Sequence, residues 1–272
     1  MALVGIWGHP YLRLDDLLDL GALAAVHEEV CLGLTRVAPG YTGGSHRSMG
    51  IVPEMFAREA WGDYGEVLGA LSPGELAVFH SLGDDPGAVD PGDRDVGEER
   101  EVPLSRRQML WLEYRHRVYF PWKVYYELVP NRFWTEKSDL EGKAFTREAR
   151  TFFPKTVAFL ESLPFVGIGR ANVMGLRAND AGTVHKDAEP EDQPVPPHFI
   201  TIAPVTGKRL FLWDDDRRER TPVDGRAVWF NDADYHGVEA DPFFRYSIRV
   251  DGVFRADFLA ELRDHAAASR RA

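Results

Sequence analysis

The chain has 272 residues, 44% hydrophobic and 28% charged, which suits a globular protein with a sizeable core and excludes a disordered or fibrous one. Its formal net charge of −11 excludes a general nucleic-acid binder, which needs a basic face to displace counterions. The single cysteine, Cys31, excludes an intramolecular disulfide and a cysteine-based zinc site.

The first stretch, MALVGIWGHPYLRLDD, has no basic segment followed by a clean apolar run, so it does not read as a signal peptide. No apolar run reaches the roughly 18 residues that suggest a membrane span. A cytoplasmic protein without a membrane partner is expected.

From about Asp15 to Leu163 the apolar residues recur at helical spacing. Helices are expected from Asp15 to Leu34, from Pro53 to Leu71 with Pro53 in the first turn, from Pro73 to Leu82, and from Ser105 to about Val118. Cys31, four residues after His27, reads as a buried helix cysteine rather than an activated thiol. The glycines of GYTGGSHRS (40–48) lack the following Lys-Ser/Thr of a phosphate cradle, so a plain loop is expected. Gly83 to Val102 is rich in Gly, Pro and acid and reads as an exposed loop. LWLEYRHRVYFPWKVYYEL (110–128) interleaves aromatic and basic residues; given the acidity of the chain, it reads as aromatic packing beside a substrate entrance, not a nucleic-acid surface. Thr146 to Leu163 reads as two helices or one kinked at Pro154, with Thr146 as N-cap.

From Arg170 the pattern changes to short β-runs: 171–178, 182–187, 198–205, 208–213, 226–231, 236–240 and 244–254, with Asp214 to Asp216 in an exposed turn. Short strands at this spacing predict an antiparallel sandwich or small barrel. The tail from Arg255 reads as a closing helix. The expected layout is a helical region over 1–165, a β core over 166–255 and a helix over 256–272, all in one unit.

Within the β-runs, GTVHKDAE (182–189) carries His185 and Asp187 two residues apart, a spacing that puts both side chains on one face of a strand. A surface ion pair would account for this; so would two ligands of a metal. VWFNDADYHGVEADPFFRYSIRVDG supplies His236 further along. Two histidines and a carboxylate are the composition of the facial triad of non-haem Fe(II) sites, which leaves positions open for a co-substrate and oxygen. Arg245, Ser247 and Arg249 alternate along the next strand and share a face, and an arginine there can hold a carboxylate through a bidentate fork.

FPKTVAFLESLPFVGIGRANVMGLRANDAGTVHKD and GRAVWFNDADYHGVEADPFFRYSIRVDG together resemble the Fe(II)/2-oxoglutarate-dependent dioxygenases, within them the aspartyl/asparaginyl β-hydroxylase-like branch, over about Phe153 to Gly252. The resemblance implies a double-stranded β-helix (a cupin-type jelly roll) carrying the helical first half. It implies His185, Asp187 and His236 as iron ligands and Arg245 as partner of the distal carboxylate of 2-oxoglutarate, with Ser247 assisting and Arg249 the rival. The branch's Arg-x-His pair is replaced by PPHFITIAP, where His198 stands for part of it. The implied cofactors are Fe(II), 2-oxoglutarate and O2, and the implied activity is hydroxylation of an amino acid or a peptidyl side chain. Separately, the aromatics between Trp111 and Trp134 and the many carboxylates of the first half would suit a cationic group on the substrate. Desaturation or cyclisation at the same site, and a metal- or oxoglutarate-binding sensor without turnover, remain open alternatives.

Overall fold

The alternating β-runs fold into two antiparallel sheets. The structure, a computed structural model, describes residues 2–41, 58–59, 61, 63–97, 104–120, 122–131, 133–205 and 209–269. In chain order it contains β1 (Tyr11–Arg13), α1 (Leu23–Gly33), α2 (Tyr64–Ala70), α3 (Pro73–Ser81), α4 (Arg106–His116), β2 (Val124–Val129), a 3-10 turn (Trp134–Ser138), α5 (Arg147–Phe152) and α6 (Pro154–Glu161). Then come β3 (Phe165–Leu176), β4 (Gly182–His185), β5 (Phe199–Ile202), β6 (Leu210–Asp214), β7 (Glu219–Pro222), β8 (Ala227–Phe230), β9 (His236–Val238), β10 (Arg245–Phe254) and α7 (Ala256–Ser269).

A six-stranded sheet runs β1-β8-β5-β10-β3-β2 and a four-stranded sheet runs β4-β9-β6-β7. Consecutive strands from β3 to β8 thus alternate between the sheets except at β6 and β7, which form a hairpin. The expected strands are found. Strands β1 and β2 lie inside the region expected to be helical and extend the two edges of the larger sheet, and β7 occupies residues expected as loop.

Strand register gives the larger sheet two chemically different faces. Ser247 pairs with Met174, Arg249 with Asn172 and Thr201, and Asp251 with Arg170 and Phe199, so all of these share one face. The alternate residues, Tyr246, Ile248 and Val250 with Ala171, Val173, Ile200 and Ile202, are buried in one apolar cluster with residues of α1, α6 and α7. A sheet that is apolar toward its helices and polar toward the other sheet has an interior suited to a ligand.

Local sequence explains the helix ends. Ser72 and Ser105 each form a reciprocal capping box, with Glu75 and Gln108 respectively. The expected Thr146 cap is present, its side chain accepting the Ala149 N–H, and Pro154 starts a second helix after Phe153. The ring of Phe153, fully buried, fills the space over Gly33, where a β-carbon would come within 2.3 Å of it. Helix α1 starts at Leu23, later than expected, and turns Leu23, Val26, Val30 and Gly33 inward. That face leaves Cys31 exposed rather than buried, 3.7 Å from His27 Nδ1.

A second apolar cluster lies within residues 41–120 and includes Tyr64, Phe79, Leu112 and Phe120. The described part of the acidic loop is fastened to it: Arg94 donates to the carbonyls of Leu68, Gly69 and Leu71, and Val96 is buried. Most of GYTGGSHRS and the first part of the Pro53 to Leu71 helix lie outside the described residues. No helix among the described residues is long and apolar enough to cross a membrane.

Candidate metal centre

His185 ends β4 and His236 begins β9, and the two are register partners across the sheet. The pairing register of β4 with β9 shifts between Gly182 and His185. Gly237 lets β9 sit tightly between its neighbours, since a β-carbon there would meet Phe211 at 2.7 Å and the Gly182 carbonyl oxygen at 2.9 Å. The two imidazoles lie with centroids 4.4 Å apart at 51°.

Asp187 is not on the strand. It follows the end of β4, and a hydrogen bond from its N–H to the Asp232 carbonyl oxygen (2.8 Å) sets its position. Its Oδ1 lies 3.7 Å from His185 Nε2 and 3.9 Å from His236 Nε2. One ligand atom from each of the three residues lies within 4.8 Å of the others.

The donor set fits a divalent transition ion. Around an octahedral ion at about 2.1 Å, adjacent N and O ligands sit about 3 Å apart, so a contraction of about 1 Å brings this trio onto one centre. His236 Nδ1 lies 2.9 Å from the Asp234 carbonyl oxygen, which can only accept, so the proton is on Nδ1 and the Nε2 lone pair is available. Asp234 in turn accepts the N–H groups of Val4 and Gly5, both at 2.7 Å, which ties the turn before His236 to the N-terminal segment. Burial opposes the charge on Asp187, but His236, Arg249 and His185 together outweigh it and hold the carboxyl well below the usual carboxylate range. Asp187 is therefore the ionised carboxylate of the trio.

Arg249 organises the second carboxylate oxygen. It donates from Nη1 to Asp187 Oδ2 (2.8 Å), from Nη2 to Asp232 Oδ2 and from Nε to Asp251 Oδ1 (3.0 Å). Its guanidinium carbon stands 3.9 Å from the Phe199 ring centroid. Lys137 Nζ reaches Asp232 Oδ2 at 2.9 Å, Gln193 Nε2 reaches Asp232 Oδ1 at 2.7 Å, and Arg170 grips Asp251 Oδ2 through Nε and Nη2. Among the described residues, three carboxylates and three cations thus form one network beside the two histidines, with each side chain at most 8% exposed.

The structure brings His185, Asp187, His236 and Arg249 together. Arg245 opens β10 at the other end of the polar lane, about 13 Å along the strand from Arg249, where it pairs with Asp241 and covers the Phe243 ring. Ser247 lies between them, fully buried. His198 is elsewhere: its ring stacks on Phe254 and its Nδ1 accepts the Phe254 N–H at 3.1 Å. Sequence reading missed Lys137, Gln193, Asp232 and Arg170. Asp232 alone had a visible signal, an acid two residues past the apolar run of β8.

No protein-family model matches the chain, and no curated protein matches it. Among solved structures it is similar to an oxidoreductase of the 2OG-Fe(II) oxygenase family from Burkholderia pseudomallei, at 11% identity over 48% of this chain and 70% of that one, with a TM-score of 0.31. A Pseudomonas putida prolyl-4-hydroxylase matches at 11% identity over 43% and 70%, TM-score 0.28. AviO1 from Streptomyces viridochromogenes Tue57 matches at 12% over 53% and 78%, TM-score 0.26.

Proposed function

We propose that this protein is a non-haem Fe(II)- and 2-oxoglutarate-dependent oxygenase, with strands β3 to β10 forming a double-stranded β-helix. The observation that carries this reading is the convergence of His185, Asp187 and His236, two imidazoles and one ionised carboxylate, at the end of the smaller sheet. Three ligands from two adjacent strand ends approach an ion from one side and leave its other side for exchangeable ligands.

Charge supports a dianionic co-substrate. Asp187, Asp232 and Asp251 balance Lys137, Arg170 and Arg249 in the buried network, so a divalent ion adds two uncompensated positive charges. Uncompensated charge in a buried site is costly, and a dicarboxylate removes it. The polar lane of β10 offers Ser247 and Arg245 beyond Arg249 on the same face, and we assign the far carboxylate to that pair.

When bound, iron with 2-oxoglutarate and O2 supplies the oxidation, consuming both to give succinate, CO2 and one hydroxylated C–H. The chain's own residues have simpler tasks. His236 is held in one tautomer by Asp234, Asp187 keeps one oxygen for the ion and gives the other to Arg249, and the buried face of β10 keeps water out. The resemblance of Phe153 to Gly252 to the aspartyl/asparaginyl β-hydroxylase-like branch supports an amino-acid or peptidyl side chain as substrate.

The test is succinate formation from 2-oxoglutarate with Fe(II) under air, with and without amino acids and short peptides. Iron-dependent turnover stimulated by one of these is expected. A purified protein that binds no divalent transition metal would overturn the reading.

A further inference from the structure

Lys137 comes from outside the β core, 95 residues before the Asp232 it contacts, yet its side chain is only 8% exposed. The 3-10 turn that carries it lies across β3 at a glycine. A β-carbon on Gly169 would meet the Lys137 carbonyl oxygen at 2.5 Å and that of Asp139 at 2.7 Å. The missing side chain therefore lets this strap touch the strand, and the lysine it carries reaches inward to Asp232.

We propose that Lys137 is a positioning residue of the metal centre, holding Asp232 and through it Arg249 so that Asp187 presents Oδ1 alone to the ion. This rests on the metal-site reading above. Asp187 has two oxygens. Oδ2 accepts from Arg249 Nη1, while Oδ1 faces both imidazoles. Whether the carboxylate binds an ion through one oxygen or two depends on where Arg249 stands. The guanidinium is fixed on its two other edges by Asp251 and Asp232. Asp251 is anchored by Arg170 from a neighbouring strand, but Asp232 depends on two side chains from outside the strands, Lys137 and Gln193. The Asp232 carbonyl also receives the Asp187 N–H, so any shift of Asp232 reaches the ligand through backbone as well as side chain. Removing the lysine cation leaves three buried carboxylates facing two cations, which draws Arg249 toward Asp232 and away from Asp187.

The probe is Co(II) alone, titrated anaerobically into the full chain and followed by its visible ligand-field absorption. Lys137→Gln removes a positive charge beside the ion, which by itself favours a dication. A Co(II) affinity lowered about tenfold despite that loss, with a band shape altered as Asp187 changes its binding mode, is therefore the expected mark of positioning. A raised affinity with the wild-type band shape would overturn the assignment. Lys137→Arg, which keeps the cation, should restore most of the affinity. Gly169→Ala keeps every charge but pushes the strap off β3, and should weaken Co(II) in the same direction. It also serves as the second variant if Lys137→Gln folds poorly by thermal melt. Wild-type affinity and spectrum in both Lys137→Gln and Gly169→Ala would overturn the assignment while leaving the metal site standing. Failure of the wild-type chain to bind Co(II) would overturn both.

Discussion

Arg249 and Asp187 share one hydrogen bond of 2.8 Å, and it takes the carboxylate oxygen that does not face the histidines. An arginine and an aspartate 62 residues apart thereby divide the two oxygens of one carboxyl group, one into a salt bridge and one toward the two imidazoles.

Arg249→Ala should be among the most destabilising single changes in the chain. It leaves Asp187, Asp232 and Asp251 buried with one fewer cation, and breaking a buried pair from one side costs about 3–5 kcal/mol. Arg245→Ala should cost much less stability and instead raise the 2-oxoglutarate requirement. Urea denaturation of the two variants, with turnover at varied 2-oxoglutarate, checks the order.

Asp187→Ala should abolish 2-oxoglutarate-dependent hydroxylation and weaken transition-metal binding, because the variant keeps two imidazoles but loses the one anionic donor of the trio. Equilibrium dialysis against Co(II) or Fe(II) reads this directly. Tight binding retained in the variant would show that the ion sits elsewhere.

Gly33→Ala should destabilise the fold by about 1–3 kcal/mol, since the added methyl meets the buried Phe153 ring at the joint between α5 and α6. Thr146→Ala, which removes the side-chain acceptor for the Ala149 N–H, should cost about 1 kcal/mol. The two sites report separately on packing and on capping, and chemical denaturation distinguishes them by size.

His198 should make the protein sensitive to mild acid. Burial lowers its pKa below the usual 6.5, and the neutral ring accepts the Phe254 N–H at Nδ1. The unfolded chain therefore binds this proton at a higher pH than the folded one does, so stability falls as pH drops through about 6.5 and below. His198→Asn should flatten the stability curve between pH 7 and 5, as measured by melting temperature across that range. An unchanged slope would mean that His198 does not set it.

Period-two alternation in the sequence determined the strands from β3 onward except β7, and with them the shared face of Arg245, Ser247 and Arg249. Local helix signals in the sequence also showed Thr146 as a cap and a break at Pro154, which the structure makes the start of a new helix, because these signals act within one turn of chain. The pair His185 and Asp187 was legible for the same local reason, although the carboxylate proved to lie just past the strand, held by the Asp232 carbonyl. The edge strands β1 and β2 were not legible, since their partners are β8 and β3, far along the chain. Only the tertiary structure decided that Arg249 stands against Asp187 and that Lys137, Gln193 and Asp232 complete the network. A buried ion pair leaves no periodic mark in a sequence. Its members are chosen by where the folded backbone places them, and by the cost of leaving any one of those charges without a partner.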